Sequence, residues 1–390
     1  MLKVDYTKEL IDLEDVLVRK VENLNGEMHI SIEMPRKEHP CPDCSIKTDK
    51  VHDYRKQKIK DIPTRHKNTF LILRKRRYKC PLCGKTFTED VPFLPKYYRA
   101  TSRLIESVIS RFRETRTIKA IASEHNISST TVMRYIDLIS IAKPRLPRQL
   151  SIDEYRGNAG GQRFQCILTD PKKKKILDLL PARNSEKLKE YFMSCQDRNN
   201  VKVVVMDMSS LFKSVVKTCF PKADIVADKY HVMRQGMWAF ENVRKSEQNK
   251  FSKEYRKYFK RSKSLLLKVP SRLKDEEVEM LAIMLNTSTK LASAYYLLQS
   301  FRAIFKCQNR EAAKIELSNW LIKAGALDLS EFRACVTALN NWKTEILNMF
   351  EYGLSNGYTE GCNNKTKVLK RISYGCTNFE RFRTRRLILA

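Results

Sequence analysis

The sequence contains no run of apolar residues that approaches the roughly 20 residues needed to span a membrane. Its first segment, Met1 to Glu9, is charged and lacks the apolar core of a signal peptide. Internal repeats and low-complexity tracts are also missing. We therefore expect a cytoplasmic protein without a membrane anchor, and its 390 residues predict two or three domains with a sizeable buried core.

Disulfide bonds are not expected either, although the chain contains 11 cysteines. The number is odd, and only four cysteines form C-x-x-C pairs, while the other seven are scattered singly. In a chain without an export signal, this pattern indicates a reducing compartment, a metal site and small buried thiols elsewhere.

Negative charge is scarce, because 44 Asp and Glu face 75 Lys and Arg and leave a net charge of +31. Such an imbalance says little about the fold. It indicates a polyanionic partner, and the release of counterions would make that binding strongly dependent on salt. A basic surface that serves solubility alone is the alternative, but the clusters described below favour nucleic acid.

Cysteine pairs stand at two distant places in the N-terminal part of the chain. They are Cys41-Pro42-Asp43-Cys44 and Cys80-Pro81-Leu82-Cys83, the second followed by a glycine. Zinc prefers four thiolates in a tetrahedron, so we predict one structural Zn²⁺ in a ribbon with strands between the pairs. A thioredoxin-like redox pair and free structural cysteines are the alternatives. The predicted zinc ligands are Cys41, Cys44, Cys80 and Cys83.

A basic run precedes the second cysteine pair. Beside a zinc ribbon, such a run predicts a strand edge that contacts DNA phosphates. Taken alone, it would more often be a solvated face. The run is Arg74, Lys75, Arg76 and Arg77.

The segment 117–136 resembles a helix-turn-helix. Its apolar residues recur at helical spacing, Asn126 can occupy the turn, and Ser128 can cap the second helix. The second helix would then enter the major groove of DNA with its first turn. An ordinary helical hairpin is the alternative. The residues expected to contact DNA are Ser129, Thr130, Thr131 and Arg134.

After the linker 143–148, strands begin to alternate with helices. Three consecutive strands, followed by strands that alternate with helices, predict a mixed sheet in an α/β domain. Residues 229–350 then predict an almost continuous series of charged helices. The strand candidates are 149–155, 163–169, 174–180, 202–207 and 223–227.

Three carboxylates stand on three different elements. Asp153 lies inside a strand candidate, Asp207 ends another, and Glu360 precedes the basic helix 363–371. Divalent cations such as Mg²⁺ prefer carboxylate oxygens, and a pair of them can clamp the attacking and leaving oxygens of a phosphoryl transfer. Spacing alone does not distinguish these acids from surface or salt-bridged carboxylates. Asp178, also in a strand candidate, is expected at an exposed edge.

Taken together, these residues resemble the DDE transposases of the bacterial ISL3 insertion-sequence family. The similarity covers nearly the whole chain, and its most specific part is the last block. It rests on the paired C-P-x-C ribbon, the helix-turn-helix and the segments 152–157, 165–171, 228–231 and 355–383.

The resemblance implies a ribonuclease-H-like core that a helical insertion splits before the last acid. It implies that Asp153, Asp207 and Glu360 are catalytic and bind two Mg²⁺, which Mn²⁺ can replace. Hydrolysis at the element's ends would free 3′ hydroxyls. These hydroxyls would then attack target DNA directly, without a covalent protein intermediate.

Further expectations follow from the same resemblance. Asp228 and His231 are expected to support the catalytic acids rather than to bind the metals directly. The partners are expected to be double-stranded DNA, as terminal inverted repeats and as target, and a second copy of the chain on DNA, in the bacterial nucleoid. The basic helix is expected to follow the DNA backbone near the cleavage point through Lys365, Lys367, Lys370 and Arg371.

The predicted fold is therefore multi-domain, α+β and α/β. It consists of an N-terminal segment, a zinc ribbon, a helix-turn-helix region, the first part of a ribonuclease-H-like mixed sheet, a helical insertion, and the last part of that core with the third acid. The corresponding ranges are 1–35, 36–95, 96–145, 146–240, 241–350 and 351–390.

Two other functions stay open at this point. One is a zinc-ribbon and helix-turn-helix DNA-binding protein with an inert catalytic core. The other is a metal-dependent nuclease that cleaves without joining strands. The sequence departs from the family pattern at Tyr358, where proline is frequent, and at Met208-Ser209-Ser210, where aromatic residues are frequent. Neither departure removes a predicted metal ligand.

Overall fold

The computed structural model describes residues 11–261, 263–374 and 376–389. They form two compact units. The first unit joins the chain up to Ala142 with the C-terminal segment from Leu369, and the second spans Lys143–Val368. No helix in these described ranges is both long and apolar enough to cross a membrane.

The first unit contains a sheet with the strand order β1-β2-β6-β5, and β7 pairs with β6. Leu71 and Leu73 of β6 are fully buried and pack with Ile30 and Ile32 of β2, because alternate residues of a strand face the same side. A short separate hairpin joins β3 to β4. The strands are β1 (Leu17–Leu24), β2 (Glu27–Glu33), β3 (His39–Pro40), β4 (Lys47–Thr48), β5 (Val51–Thr64), β6 (Lys67–Lys79) and β7 (Thr86–Thr88).

The predicted helix-turn-helix is confirmed. Helices α1 (Ser102–Ser110), α2 (Ile118–Glu124) and α3 (Ser129–Ile136) enclose a small apolar core. Asn126 takes a left-handed backbone conformation with φ of 51° in the turn. The Ser128 hydroxyl accepts a hydrogen bond of 3.1 Å from the Thr131 amide, which caps α3.

The second unit contains the predicted mixed sheet, with the order β10-β9-β8-β11-β12. Strands β8, β9 and β10 are antiparallel neighbours, whereas β8, β11 and β12 run parallel. Helices α4 (Ser185–Met193) and α5 (Ser210–Cys219) supply apolar residues to the same core. The strands are β8 (Gln149–Arg156), β9 (Phe164–Asp170), β10 (Lys175–Leu180), β11 (Val203–Met206) and β12 (Asp224–Ala227).

The expectation of an exposed Asp178 is wrong. Its strand β10 lies at the sheet edge, but the Asp178 side chain is only 1% exposed. The Tyr191 hydroxyl donates a hydrogen bond of 2.7 Å to it, which offsets the cost of burying a carboxylate.

A series of helices follows the sheet and shares its apolar core. Trp320 is buried there and donates its indole N–H to the Leu297 carbonyl at 2.9 Å. The predicted boundary after residue 240 falls inside the first of these helices. The remaining helices are α6 (Lys229–Gln248), α7 (Lys253–Arg261), α8 (Lys263–Leu266), α9 (Asp275–Asn286), α10 (Thr289–Ile304), α11 (Arg310–Leu327), α12 (Arg333–Asn341), α13 (Lys343–Tyr352), α14 (Gly357–Ile372) and α15 (Phe379–Ile388).

Candidate active site and zinc centre

Three aspartates lie side by side at one end of the second sheet. Met206 of β11 is in register with Ile152 of β8 and with Ala227 of β12. Because these three strands are parallel, the residues that directly follow Ile152, Met206 and Ala227 in sequence also lie next to one another. Those residues are Asp153, Asp207 and Asp228.

The start of helix α14 is anchored to this sheet by buried polar side chains. The Thr359 hydroxyl lies 3.0 Å from the Ser151 hydroxyl and 2.8 Å from the Thr169 hydroxyl. Asn356 donates its backbone N–H to Asp228 at 3.1 Å. Since an unpaired buried polar group is costly, these bonds hold the first turn of α14 in one position against the sheet.

Glu360 lies inside this anchored turn, directly after Thr359. One turn later, Asn363 donates its side-chain N–H to Asp153 at 2.7 Å. Residues three apart are neighbours on one helix side, so this bond places Glu360 on the side of the acidic cluster. The fold therefore places Glu360 on the side of Asp153 and Asp207, although it lies far from them in sequence.

Electrostatics supports this grouping. Burial, together with the charges of Asp228 and Glu360, raises the pKa of Asp153 to about 7. Burial and the charges of Asp153 and Asp228 raise the pKa of Asp207 to about 8. The pKa of Glu360 is also raised, by burial and by Asp228, against the opposing charge of Lys367. Carboxylates that repel one another in this way favour a bound cation.

Two of these aspartates and one histidine lie close enough together to hold a metal ion. Asp207, Asp228 and His231 each offer a ligand atom, and these atoms lie within 4.8 Å of one another. His231 Nδ1 lies 3.0 Å from one carboxylate oxygen of Asp207. The other oxygen of Asp207 is buried and has no hydrogen-bond partner within the described ranges. An orphaned buried carboxylate oxygen of this kind fits a cation ligand.

Asp228 and His231 are expected from the sequence to support the catalytic acids, and both lie close to Asp207. Asp153 and Glu360 fall outside this tightest set.

Asn363 and Ser151 were missed altogether. Ser151 carried a signal, because residues two apart on a strand face the same side and Asp153 lies two residues later. Glu154 points away from Asp153 and pairs with Arg183 at 2.7 Å.

Asp207→Asn is expected to stabilise the metal-free protein at alkaline pH. The folded-state pKa of about 8 lies above the ordinary value of 3.8, so the folded state retains a proton that the unfolded state has released. This contribution is complete below about pH 4 and is lost as the pH rises through about 8. Near pH 9 without Mg²⁺, thermal denaturation should show the variant melting roughly 5 °C above the unmodified chain.

Below about pH 4 the two proteins should melt together, because Asp207 is then protonated in both the folded and the unfolded state of the unmodified chain and asparagine carries no charge. Asp328→Asn, at an exposed position on the same unit, serves as the control. An identical pH dependence of melting in the Asp207 variant and the unmodified chain would contradict the strained carboxylate cluster.

The four predicted zinc cysteines meet in the first unit. Cys41 Sγ lies 3.5 Å from Cys83 Sγ, and Cys44 Sγ lies 3.4 Å from Cys80 Sγ and 3.6 Å from Cys83 Sγ. A tetrahedral zinc site with Zn–S bonds of about 2.3 Å has sulfur–sulfur edges of roughly 3.8 Å. Gly84 takes a φ of +70° after the second pair, which closes that turn. The geometry therefore fits one closed Zn²⁺ site.

The structure corrects the expectation that the whole basic run before the second cysteine pair contacts DNA phosphates. The run lies on β6, which pairs with β5 along this stretch, and on the other side the Glu89 amide donates to the Arg76 carbonyl at 3.1 Å, so the strand has no free edge at Arg76. Arg76 is only 5% exposed and donates hydrogen bonds to the Met34 carbonyl at 2.6 Å and to Glu89 at 3.3 Å. Arg77 pairs with Asp53 at 2.9 Å. Arg76 is therefore structural, while Arg74 and Lys75 are not buried.

The other predicted DNA contacts lie at accessible positions. On α3, Ser129, Thr130 and Arg134 are exposed, and Thr131 is half-buried, with its hydroxyl 3.2 Å from Arg134 Nη2. On α14, Lys365, Lys367 and Arg371 are exposed, and Lys370 is half-buried. These positions are compatible with contact to DNA phosphates and bases.

Family models match three consecutive parts of the chain. The ISL3 family model described as a transposase matches residues 150–386. A model described as the zinc-finger of transposase IS204/IS1001/IS1096/IS1165 matches residues 37–83. A third, described as the helix-turn-helix domain of transposase family ISL3, matches residues 89–140.

Individual relatives give the same result. The chain is 24% identical over 352 residues to the transposase for insertion sequence element IS1001 of Bordetella parapertussis, and the match covers 88% of this chain and 86% of the relative. It is 22% identical over 255 residues to the transposase for insertion sequence element IS1557 of Mycobacterium tuberculosis (strain CDC 1551 / Oshkosh), which covers 58% of this chain and 56% of the relative.

Proposed function

Because the chain belongs to the ISL3 family of transposases, we propose that it binds the ends of its insertion sequence, hydrolyses the DNA there and joins the freed 3′ hydroxyls to target DNA. The observation that carries this proposal is the grouping of acids from three separate elements at one end of a mixed sheet. Asp153 and Asp207 come from parallel strands, and Glu360 comes from a helix anchored to them. A protein that only binds DNA needs no such arrangement.

The acidic cluster suits Mg²⁺, with Mn²⁺ as a substitute. The proposed ligands are Asp153, Asp207 and Glu360, and Asp228 lies close enough to Asp207 to join them. When bound, two such ions would supply the positive charge that stabilises the attacking and leaving oxygens. The buried, unpartnered oxygen of Asp207 and the raised pKa values of Asp153 and Asp207 support this assignment.

The chain's own residues would hold the carboxylates in position. Asn363 donates to one oxygen of Asp153, and His231 contacts one oxygen of Asp207, which fixes the directions of the remaining oxygens. No side-chain nucleophile is required. Water attacks the phosphorus at the element's end, and the P–O3′ bond breaks and leaves a 3′ hydroxyl. That hydroxyl then attacks a target phosphate, forms a new P–O3′ bond and displaces the target's own 3′ oxygen.

Recognition of the element's end is assigned to the helix-turn-helix. The exposed first turn of α3 has the size and polarity to read base edges in the major groove. The basic positions of α14 would follow the backbone of double-stranded DNA near the acids. Because transposition joins two ends, we propose that the chain acts as a homodimer on DNA.

Arg134→Ala is expected to weaken binding to the element's end DNA by about 5- to 100-fold, since a lost base contact costs roughly 1–3 kcal/mol. Fluorescence anisotropy with end DNA and with unrelated DNA measures the effect. Arg333→Ala, an exposed arginine paired with Asp328 in the other unit, is the control and should leave the affinity unchanged. Unaltered affinity of the Arg134 variant would contradict the assignment of α3.

The proposed reaction is tested with end DNA labelled on one strand and incubated with the purified chain and Mg²⁺. The expected product is a nick at the element boundary that leaves a 3′ hydroxyl. Specific binding without a Mg²⁺-dependent nick would contradict the proposal.

A further inference from the structure

Helix α6 carries one continuous accessible stripe that begins at the acidic cluster. His231 contacts Asp207 at 3.0 Å in the first turn. Residues that recur every three or four positions lie on the same side of a helix. The residues that follow His231 at intervals of three or four are exposed or half-buried. Gly236, Phe240 and Val243, on another side of the helix, are buried. The α6 stripe consists of His231, Arg234, Trp238, Asn242 and Lys245, together with Asn249 directly after the helix.

Trp238 is the most unusual residue of the α6 stripe because of its exposure. It is 54% exposed, although a tryptophan gains more from burial than almost any other residue. The Arg234 guanidinium carbon lies 4.5 Å from the centre of the Trp238 ring and 5.8 Å from the centre of the Tyr230 ring. Such cation–π contacts hold the indole in one orientation while leaving it accessible. Trp238 follows His231 by about 10 Å along the helix axis.

The far end of the α6 stripe is strongly basic. A groove of about 630 Å³ lies there, between the end of α6 and the start of α7. Lys245, Lys253 and Lys257 line it with exposed amines, and Arg256 contacts Asn249 at 2.6 Å. The order of these groups matches the order of groups along a DNA strand. The acids would face the scissile phosphate, the exposed aromatic ring would face a base, and the amines would face further phosphates.

We propose that the α6 stripe holds the DNA strand that leads away from the scissile phosphate, with an unpaired base stacked on Trp238 and phosphates in the basic groove. This rests on the proposed function, because the strand is the one cut at the acids. Aromatic rings that stack on bases, next to basic side chains that follow the backbone, are the usual means of holding single-stranded DNA. The occupant is a strand with unpaired bases, since a base inside a duplex does not expose its face.

Tryptophan fluorescence gives a direct test. The chain contains 3 tryptophans, and Trp320 and Trp342 are only 1% and 8% exposed, so stacking would quench mainly Trp238. The probe is a forked duplex with the DNA sequence that flanks this gene and 2-aminopurine at the unpaired positions, in buffer without Mg²⁺. Quenching of tryptophan emission and a change in 2-aminopurine emission are expected on binding.

Variants distinguish a ring that stacks on a DNA base from a ring that is only exposed to solvent. Trp238→Ala should weaken binding to the forked duplex by about 5- to 100-fold relative to the fully paired duplex, and Trp238→Phe should restore most of it. Tyr296→Ala, which removes a ring 65% exposed on α10, is the matched control and should change neither affinity. Lys253→Ala with Lys257→Ala should reduce the salt dependence of binding, whereas Lys314→Ala with Lys323→Ala on α11 should not.

Equal affinities of Trp238→Ala and the unmodified chain for both duplexes, without quenching, would overturn the inference. So would a Trp238 emission that changes with protein concentration alone, because it would identify a second copy of the chain as the occupant. These readouts need no catalysis, so they remain distinct from a failure of the nicking reaction, which would overturn the proposed function instead.

Discussion

Glu360→Gln is expected to leave binding of end DNA intact and to lower Mg²⁺-dependent nicking by about a thousandfold or more. Metal-assisted stabilisation of a phosphoryl-transfer transition state contributes several kcal/mol, and each loss of about 1.4 kcal/mol slows the reaction tenfold. Glutamine has nearly the same shape as glutamate but carries no charge to bind a cation. Rates of nicking, measured under single-turnover conditions, give the effect.

The structure indicates that this substitution leaves the anchoring of helix α14 unchanged. Glu360 is only half-buried, and the neighbours that anchor its turn, Thr359 and Asn356, are unchanged. Glu316→Gln, at an exposed position on α11, is the control and should nick at the normal rate. A Glu360 variant that nicks at more than a tenth of the normal rate would remove Glu360 from the proposed site.

Cys80→Ser is expected to abolish the bound zinc and to unfold the ribbon. The purified chain should hold about one zinc, because four thiolates form one closed site. Structural zinc in small finger peptides contributes about 10–16 kcal/mol to folding. Cys80 is buried beside the thiolates of Cys41, Cys44 and Cys83, so its loss leaves three ligands around an open position. Metal analysis and protease digestion of the first unit measure the two effects.

Cys376→Ser is the matched control, since Cys376 lies in the same unit outside the zinc cluster. It should retain the metal and resist protease as the unmodified chain does. Full zinc content in the Cys80 variant, or no zinc in the unmodified chain, would contradict the ribbon.

The fold was largely predictable because its elements carry strong local patterns. The five strands of the second unit lie within one residue of their predicted bounds, since short β-branched runs are bounded by turns and helices. The turn residue Asn126 and the cap Ser128 were recognisable from their side-chain chemistry. The family resemblance, rather than spacing, singled out Asp153, Asp207 and Glu360 among the acids.

The contacts that organise the site were not predictable. Asn363 reaches Asp153, and Thr359 reaches Ser151, across some two hundred residues of chain, and no local pattern encodes such a pairing. Arg76 was misassigned for a related reason. A basic run looks solvated in sequence, but this one member is buried, where the Met34 carbonyl accepts its hydrogen bond and Glu89 compensates its charge.

The acidic cluster of Asp153, Asp207 and Glu360 is proposed both to cut and to join DNA. The most direct measurement incubates the purified chain with labelled end DNA, a target plasmid and Mg²⁺, and then analyses the DNA after protein digestion. The predicted result is end DNA joined covalently to the plasmid through its 3′ oxygen. Specific binding of end DNA with neither nicking nor joining would contradict the claim and favour a DNA-binding protein with an inert core.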